Sequence, residues 1–354
     1  MSNTSSEPRN QFVALAGLRG VAALIVLQYH GAIFMGGVSL PAGYLAVDFF
    51  FLLSGWVLAH AYDARLAGPM SAAQFLRARL VRLYPAYLLV LLLNYCGAVI
   101  MGGSPLGALL AGLVFLPNFW VPDFDWLVRV AWSLTAELLA NLPFAAFHRL
   151  LTARVLVACV AVALGALILS GWAYRTLDLG HSSRTWIGLP TRVFFSFPLG
   201  VLLYRYRARL AQWAPRWGAW PAMGLLILVL AIPAPLELRG ARDLAIVVLA
   251  LPAILLFGSN AEPGPLTSRI ATVLGDMSYP LYLLHVTVFS AVNILLLAVW
   301  HRDLDSASLP FALALLAGIM LVSWLIDRFY DRPVRQLLSA GWSRVTPATG
   351  RAMP

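Results

Sequence analysis

The feature that most restricts this chain is the apolar run from Phe12 to Phe34, which carries Arg19 and His30 inside it. About 20 apolar residues are enough to cross a bilayer as a helix. A guanidinium within the hydrocarbon costs roughly 2.5–3.5 kcal/mol on insertion scales, so it must face protein or a wet cavity. The run therefore needs a bundle around it that receives its charged face. At about 100° per residue, the spacing from Arg19 to His30 puts both side chains on one face, roughly 16 Å apart along the axis.

The remaining sequence supplies that bundle. The chain has 354 residues, 61% hydrophobic and only 11% charged, which predicts an all-α polytopic membrane protein. Apolar segments of suitable length give about ten candidate spans, at residues 12–34, 43–61, 80–101, 130–147, 153–174, 187–204, 217–233, 243–258, 277–300 and 309–329. The seventh is the weakest, being short and carrying Pro221. Residues 12–335 then form one transmembrane domain, between an N-terminal segment at 1–11 and a tail at 336–354. The first run is longer than a signal-peptide core and no small-residue cleavage site follows it, so it is expected to be retained. The run from Leu106 to Phe119 is too short to cross and leads into PNFWVPDFDW, an interfacial or re-entrant piece rich in aromatic anchors. No internal repeat is visible. Cys96 and Cys159 both lie in apolar runs, which argues for buried thiols rather than a disulfide or a metal site.

A net charge of +10 would suit nucleic acid in a soluble protein, but here the basic residues, all of them Arg, cluster at the ends of apolar runs. That is the signature of topogenesis, and no nucleic-acid partner is expected. With the N-terminus inside, the inner segments hold about 17 Arg and the outer loops about 6, the latter being Arg129, Arg175, Arg184, Arg239, Arg242 and Arg302. Arg19 and Arg192 remain within spans. The bias predicts both termini on the cytoplasmic side of the inner membrane. On that orientation the ionisable groups sort into two levels: His30, Asp48 and Glu137 near the outer face, and Arg19, His285 and the Arg-rich start of the third span near the inner face.

His30 is the residue of the outer level whose ordinary pKa suits a base near neutrality. Asp48 or Glu137 would orient its ring and stabilise the imidazolium. The segment FLRARLVRLYPAYLL places Arg79 and Arg82 on one helix face with Arg77 close by. Guanidiniums so spaced clamp a phosphate, and the same residues also read as ordinary positive-inside flanking. In GYLAVDFFFLLSGWVLAH, Asp48 needs a partner and Gly55 allows a close helix contact. Ser54 lacks an evident base nearby in sequence, which sets it aside as a nucleophile. The stretch AWSLTAELLANLPF carries Trp132, Ser133 and Glu137, and GDMSYPLYLLHVTVF lines Tyr279, Tyr282 and His285 along one face. Asp327, Asp331 and Arg332 read as a local charge network.

Taken in order, these blocks resemble the membrane-bound acyltransferase 3 family. LAGLRGVAALIVLQYH matches its arginine, ten residues, histidine signature at Arg19 and His30; GYLAVDFFFLLSG, RARLVRLYPAY, WSLTAEL and SYPLYLLH match its later blocks in the expected order. Many members carry an acidic pair after the tryptophan–serine block, where this chain has Ala136 and Glu137, so only Glu137 inherits that role. The resemblance implies a helical bundle that moves an acyl group, by family default acetyl from acetyl-CoA, to a hydroxyl of a carbohydrate or lipid-linked glycan, without a metal. It further implies His30 as the essential catalytic residue with Arg19 its partner in the signature, and Arg79 with Arg82 as the phosphate-binding pair. Arg77, His285 and Tyr282 are expected on the donor side with them. A transporter or channel lined by Arg19, His30, Asp48 and Glu137 is the competing class, against which stands the absence of a repeat.

Overall fold

The computed structural model describes residues 7–35, 39–117, 126–213, 219–301 and 308–343, which form helices and their connections with no strand. In chain order the helices are α1 (Glu7–Gly31), α2 (Ala46–Ala67), α3 (Ala72–Ile100), α4 (Leu106–Leu113), α5 (Trp132–Ala146), α6 (Ala153–Tyr174) and α7 (Gly188–Arg205). They continue as α8 (Ala219–Leu230), α9 (Leu236–Ser259), α10 (Pro265–Trp300), α11 (Leu309–Ile326) and α12 (Arg332–Ser343). A π turn at Ile246–Ala250 interrupts α9, and another at Asp327–Asp331 joins α11 to α12.

Among the described residues, 7 helical stretches are long and apolar enough to cross a membrane: those built on α1, α2, α3, α6, α9, α10 and α11 with α12. The chain is an integral membrane protein. The segments expected at 130–147, 187–204 and 217–233 are helical, as α5, α7 and α8, yet they fall outside that set. α5 has 15 residues and α8 has 12, short of the about 20 that a bilayer requires. In α7 the residues Arg192, Arg205, Pro190 and Pro198 dilute the apolar character. Most of PNFWVPDFDW, the tail beyond Ser343 and residues 1–6 lie outside the described residues. Cys96 and Cys159 are free thiols on the exposed faces of α3 and α6, not buried between helices; an apolar run marks a lipid-facing side as readily as a protein core.

Two helix starts decide where the chemistry sits. Ser71 caps α3 in a reciprocal box with Gln74: Ser71 Oγ accepts from the Gln74 N–H (3.2 Å) and Gln74 Oε1 accepts from the Ser71 N–H (2.8 Å). α3 therefore begins about two turns before the apolar run at residue 80, and Arg79 and Arg82 lie well inside it. α10 begins at Pro265, a residue preorganised for the first helical turn, about twelve residues and roughly 18 Å before the expected start at 277.

α1 is the central helix. It packs most extensively along α10 and also touches α2, α8 and α9. The α1–α10 pair is parallel: Gly17 lies against Ala271, Gly20 against Leu274 and Gly31 against Phe289. A Cβ on Gly20 would stand 2.7 Å from the Leu274 carbonyl carbon, so glycine is what lets the two backbones run this close. α2 and α7 make a tighter crossing. A Cβ on Gly55 would meet Phe197 O at 2.0 Å, and one on Gly200 would meet Leu52 O at 2.0 Å, which is the close contact expected of Gly55.

The α2–α7 pair also holds a fully buried ion pair. Asp48 and Arg192 are both fully buried. Arg192 Nη2 donates to Asp48 Oδ2 (2.6 Å) and Nε to Oδ1 (3.1 Å), while its other N–H groups reach Leu179 O (2.7 Å) and Tyr44 O (3.1 Å). The guanidinium also lies 5.1 Å from the Trp132 ring centroid. Asp48 sits in the first turn of α2, where the helix dipole favours an anion.

Candidate active site

A cavity opens between α1, α2, α3, α5 and α10. It collects Arg19, Arg79, Arg82, Glu137 and Tyr282, together with Ser54, Ser133, Ser278 and Tyr279. The polar groups are held by their neighbours. Arg19 donates from Nε to Ser278 Oγ (3.0 Å) and from Nη2 to Gly275 O (2.6 Å). Arg79 is ion-paired with Glu137, whose Oε1 also accepts from Ser54 Oγ (2.7 Å). Tyr279 OH donates to Leu83 O (2.6 Å) and Tyr282 OH lies 2.7 Å from Ser133 Oγ.

Two donors in this cavity are left over. Arg79 Nε and Arg82 Nη1 are buried and hydrogen-bonded to nothing among the described residues. Arg82 Nη1 faces Asp331 Oδ2 at 3.6 Å, too long for a hydrogen bond, and its guanidinium lies 5.5 Å from the Tyr279 ring centroid. A buried donor without an acceptor costs about 1–3 kcal/mol, which is the condition of a site that waits for an anionic or carbonyl oxygen. Arg82 also borders a second, polar cavity lined by Asp276, Asp327, Arg332, Arg335, Gln336 and Ser339. There Arg332 bridges Asp276 and Asp327 (2.7 Å each), and Arg335 holds Asp331 (3.0 Å), so Asp327, Asp331 and Arg332 do belong to a local charge network.

Behind Tyr282, which lines the first cavity, lies the His285 ring, with the two ring centroids 6.1 Å apart. His285 Nε2 is 3.0 Å from His30 Nδ1. The hydrogen-bond pattern assigns the tautomers. His285 Nδ1 lies 3.2 Å from Leu281 O, and a carbonyl only accepts, so that nitrogen carries the proton and Nε2 accepts. His30 Nδ1 is then the donor, shared between His285 Nε2 and Val26 O (3.1 Å). Among the described residues none hydrogen-bonds His30 Nε2, and the residue is exposed.

This arrangement redraws the two levels expected from the sequence. His285 sits with His30, not with Arg19, because α10 starts so much earlier than its apolar run. Glu137 sits with Arg79 and Arg19 rather than at the His30 level. Asp48 is committed to Arg192 and does not hydrogen-bond His30, so the partner of His30 is a histidine and not a carboxylate. Arg77 is exposed and does not line the cavity that holds Arg79 and Arg82.

A family model described as "Acyltransferase domain", acyltransferase 3, matches residues 12–328. The chain belongs to the acyltransferase 3 family. Over 370 residues it is 27% identical to "Acyltransferase MdmB" of Streptomyces mycarofaciens, covering 92% of each chain. Over 179 residues it is 38% identical to "Protein 2 in picA locus" of Rhizobium radiobacter, covering 45% of this chain and 93% of the relative. No solved structure matches it.

In this acyltransferase the motifs of the family thus fall into three structural groups: a cavity rich in guanidiniums, a histidine pair at its end, and a buried ion pair that fixes α2 on α7. Arg192 belongs to the third group and was given no role from sequence. A signal for it existed, since it is the other intramembrane Arg and such a charge needs an acid, while Asp48 is an intramembrane acid that needs a partner. Ser54 gains from Glu137 the acidic neighbour that sequence proximity did not offer it.

Proposed function

We propose that this enzyme transfers an acyl group, acetyl by family default, from acyl-CoA to a hydroxyl of a carbohydrate acceptor. The observation that carries the reading is the arrangement of Arg82, Arg79 and Arg19 along one cavity whose far wall, Tyr282, adjoins the His285–His30 pair. The donor phosphates bind at the Arg82 and Arg79 end, where two guanidinium donors are unpaired, and the pantetheine arm runs past Arg19 toward Tyr282. Within a bundle of about ten helices, with α5, α7 and α8 counted as short crossings and both termini cytoplasmic, the donor enters from the cytoplasm and His30 lies near the outer face.

His30 Nε2 removes the proton of the acceptor hydroxyl as its oxygen attacks the thioester carbonyl carbon. Collapse of the tetrahedral intermediate breaks the C–S bond, and the departing thiolate takes the proton from the imidazolium. His285 supports the charged state of His30 by accepting from Nδ1–H throughout, the part a carboxylate plays in other histidine pairs.

His30→Ala is expected to retain a folded, CoA-binding protein and to lose transfer by at least about 100-fold, the contribution of a positioned general base. Arg79→Ala and Arg82→Ala are expected to weaken CoA binding by about tenfold each, a charge-assisted contact being worth roughly 1.5–3 kcal/mol. Calorimetry on purified protein and release of CoA from labelled acetyl-CoA measure both. Transfer surviving in His30→Ala, or a dissociation constant unchanged in the Arg variants, overturns the corresponding assignment.

A further inference from the structure

Beside His30 lies a cluster whose charged and titratable groups, Asp178, His181 and Arg239, belong to none of the family blocks. Tyr29 stands edge-on to His30, with ring centroids 5.4 Å apart, and its OH donates to Asp178 Oδ2 (3.1 Å). Asp178 Oδ1 is 3.7 Å from His181 Nδ1, and Asp178 Oδ2 is 4.0 Å from Arg239 Nη2. Both separations exceed hydrogen-bond length, so the carboxylate, the imidazole and the guanidinium face one another without closing on one another. Their side chains are 26%, 48% and 32% exposed, so a ligand can reach all three. Tyr29, in contact with the His30 ring and hydrogen-bonded to Asp178, ties the cluster to the end of α1 that carries His30.

The cluster is built on a rigid base. Asp243, fully buried on α9, accepts from Tyr44 OH (2.7 Å), Thr176 Oγ1 (3.0 Å) and the Leu177 N–H (2.8 Å). Thr176 Oγ1 in turn accepts from the Asp178 N–H (3.1 Å), and Arg239 Nε donates to Tyr44 OH (3.1 Å). Asp243 therefore fixes both the loop that presents Asp178 and His181 and the tyrosine that anchors Arg239. The anchoring is stronger than a surface ion pair needs, and the groups it holds up are the incompletely paired ones.

Resting on the acyl-transfer reading above, we propose that Asp178, His181 and Arg239 form the acceptor subsite, which binds an uncharged sugar through a pair of adjacent hydroxyls. A carboxylate accepts from one hydroxyl while a guanidinium donates to the other, and the Tyr29 ring gives the sugar an apolar wall. The opposed charges of Asp178 and Arg239 favour a neutral ligand over an anionic one. A third hydroxyl of the bound sugar then faces His30 Nε2.

The test compares surface glycans, by mass spectrometry, from cells lacking the protein and cells carrying wild type, Asp178→Asn, Arg239→Gln or Arg239→Lys. Each purified protein is also titrated with CoA. The expected result is an acyl-mass shift with wild type, at least tenfold less of it with Asp178→Asn and Arg239→Gln, partial recovery with Arg239→Lys, and a CoA dissociation constant within twofold throughout. Acylation undiminished in Asp178→Asn and Arg239→Gln overturns the subsite, and so does a parallel loss of CoA binding, which marks the cluster as structural. Absence of any shift with wild type refutes the carbohydrate acceptor itself, and the subsite with it, before the variants are compared.

Discussion

His30 spends one ring nitrogen on His285 and keeps the other for chemistry. Because the partner is a neutral ring that accepts through Nε2, what His30 requires of position 285 is an acceptor at one place and not a negative charge. His285→Ala removes that acceptor and frees the His30 ring to turn, so kcat is expected to fall about tenfold to 100-fold with CoA affinity unchanged. His285→Gln, whose side-chain carbonyl can accept from His30 Nδ1–H, is expected to recover a substantial part of the loss. Stopped-time transfer assays beside CoA titration make the comparison, and equal loss in both variants would show that His285 acts by filling space. The Arg19–His30 spacing was readable from the sequence because both residues lie on one helix. The partner of His30 was not, because it depends on where a second helix begins.

At the scale of the helix, apolar runs located every segment but not its ends. A run shows where a helix is apolar, whereas caps show where it starts, and the Ser71–Gln74 box and the Pro265 start lie ahead of the runs at 80 and 277. The resulting shifts moved Arg79 into the cavity and His285 up to His30. Pairing between helices was legible only in part: Gly55 announced a close crossing, but its partner Gly200 and the Asp48–Arg192 bridge beside it required the packing of α2 on α7. That bridge predicts a strongly asymmetric mutant series. Asp48→Asn leaves a buried guanidinium without its counter-charge and should cost about 3–5 kcal/mol, whereas Asp48→Leu combined with Arg192→Met removes both charges and should recover most of the loss. Thermal unfolding of the detergent-solubilised protein measures both, and a double variant no more stable than Asp48→Asn would show that the bridge does more than balance two charges.

For the molecule as a whole, the parallel run of α1 along α10 separates the guanidinium-lined cavity from the exposed face of His30 along the bundle axis. Arg19 bonds to Gly275 and Ser278 near the middle of that run, and His30 meets His285 further along it. A donor held by its phosphates at one end and an acceptor admitted at the other need not share an entrance, so the two substrates should act from opposite sides of the membrane. In vesicles carrying the enzyme in one orientation, established by protease removal of an N-terminal tag, CoA release is expected when acetyl-CoA is supplied on the side of the N-terminus and to be at least tenfold slower when it is supplied only on the other. The donor-side rate should fall as salt is raised, since salt screens the attraction that draws the donor phosphates toward the guanidiniums. Equal rates from the two sides would mean that the donor reaches His30 by the acceptor's route, and the cavity between Arg82 and Tyr282 would then need a different occupant.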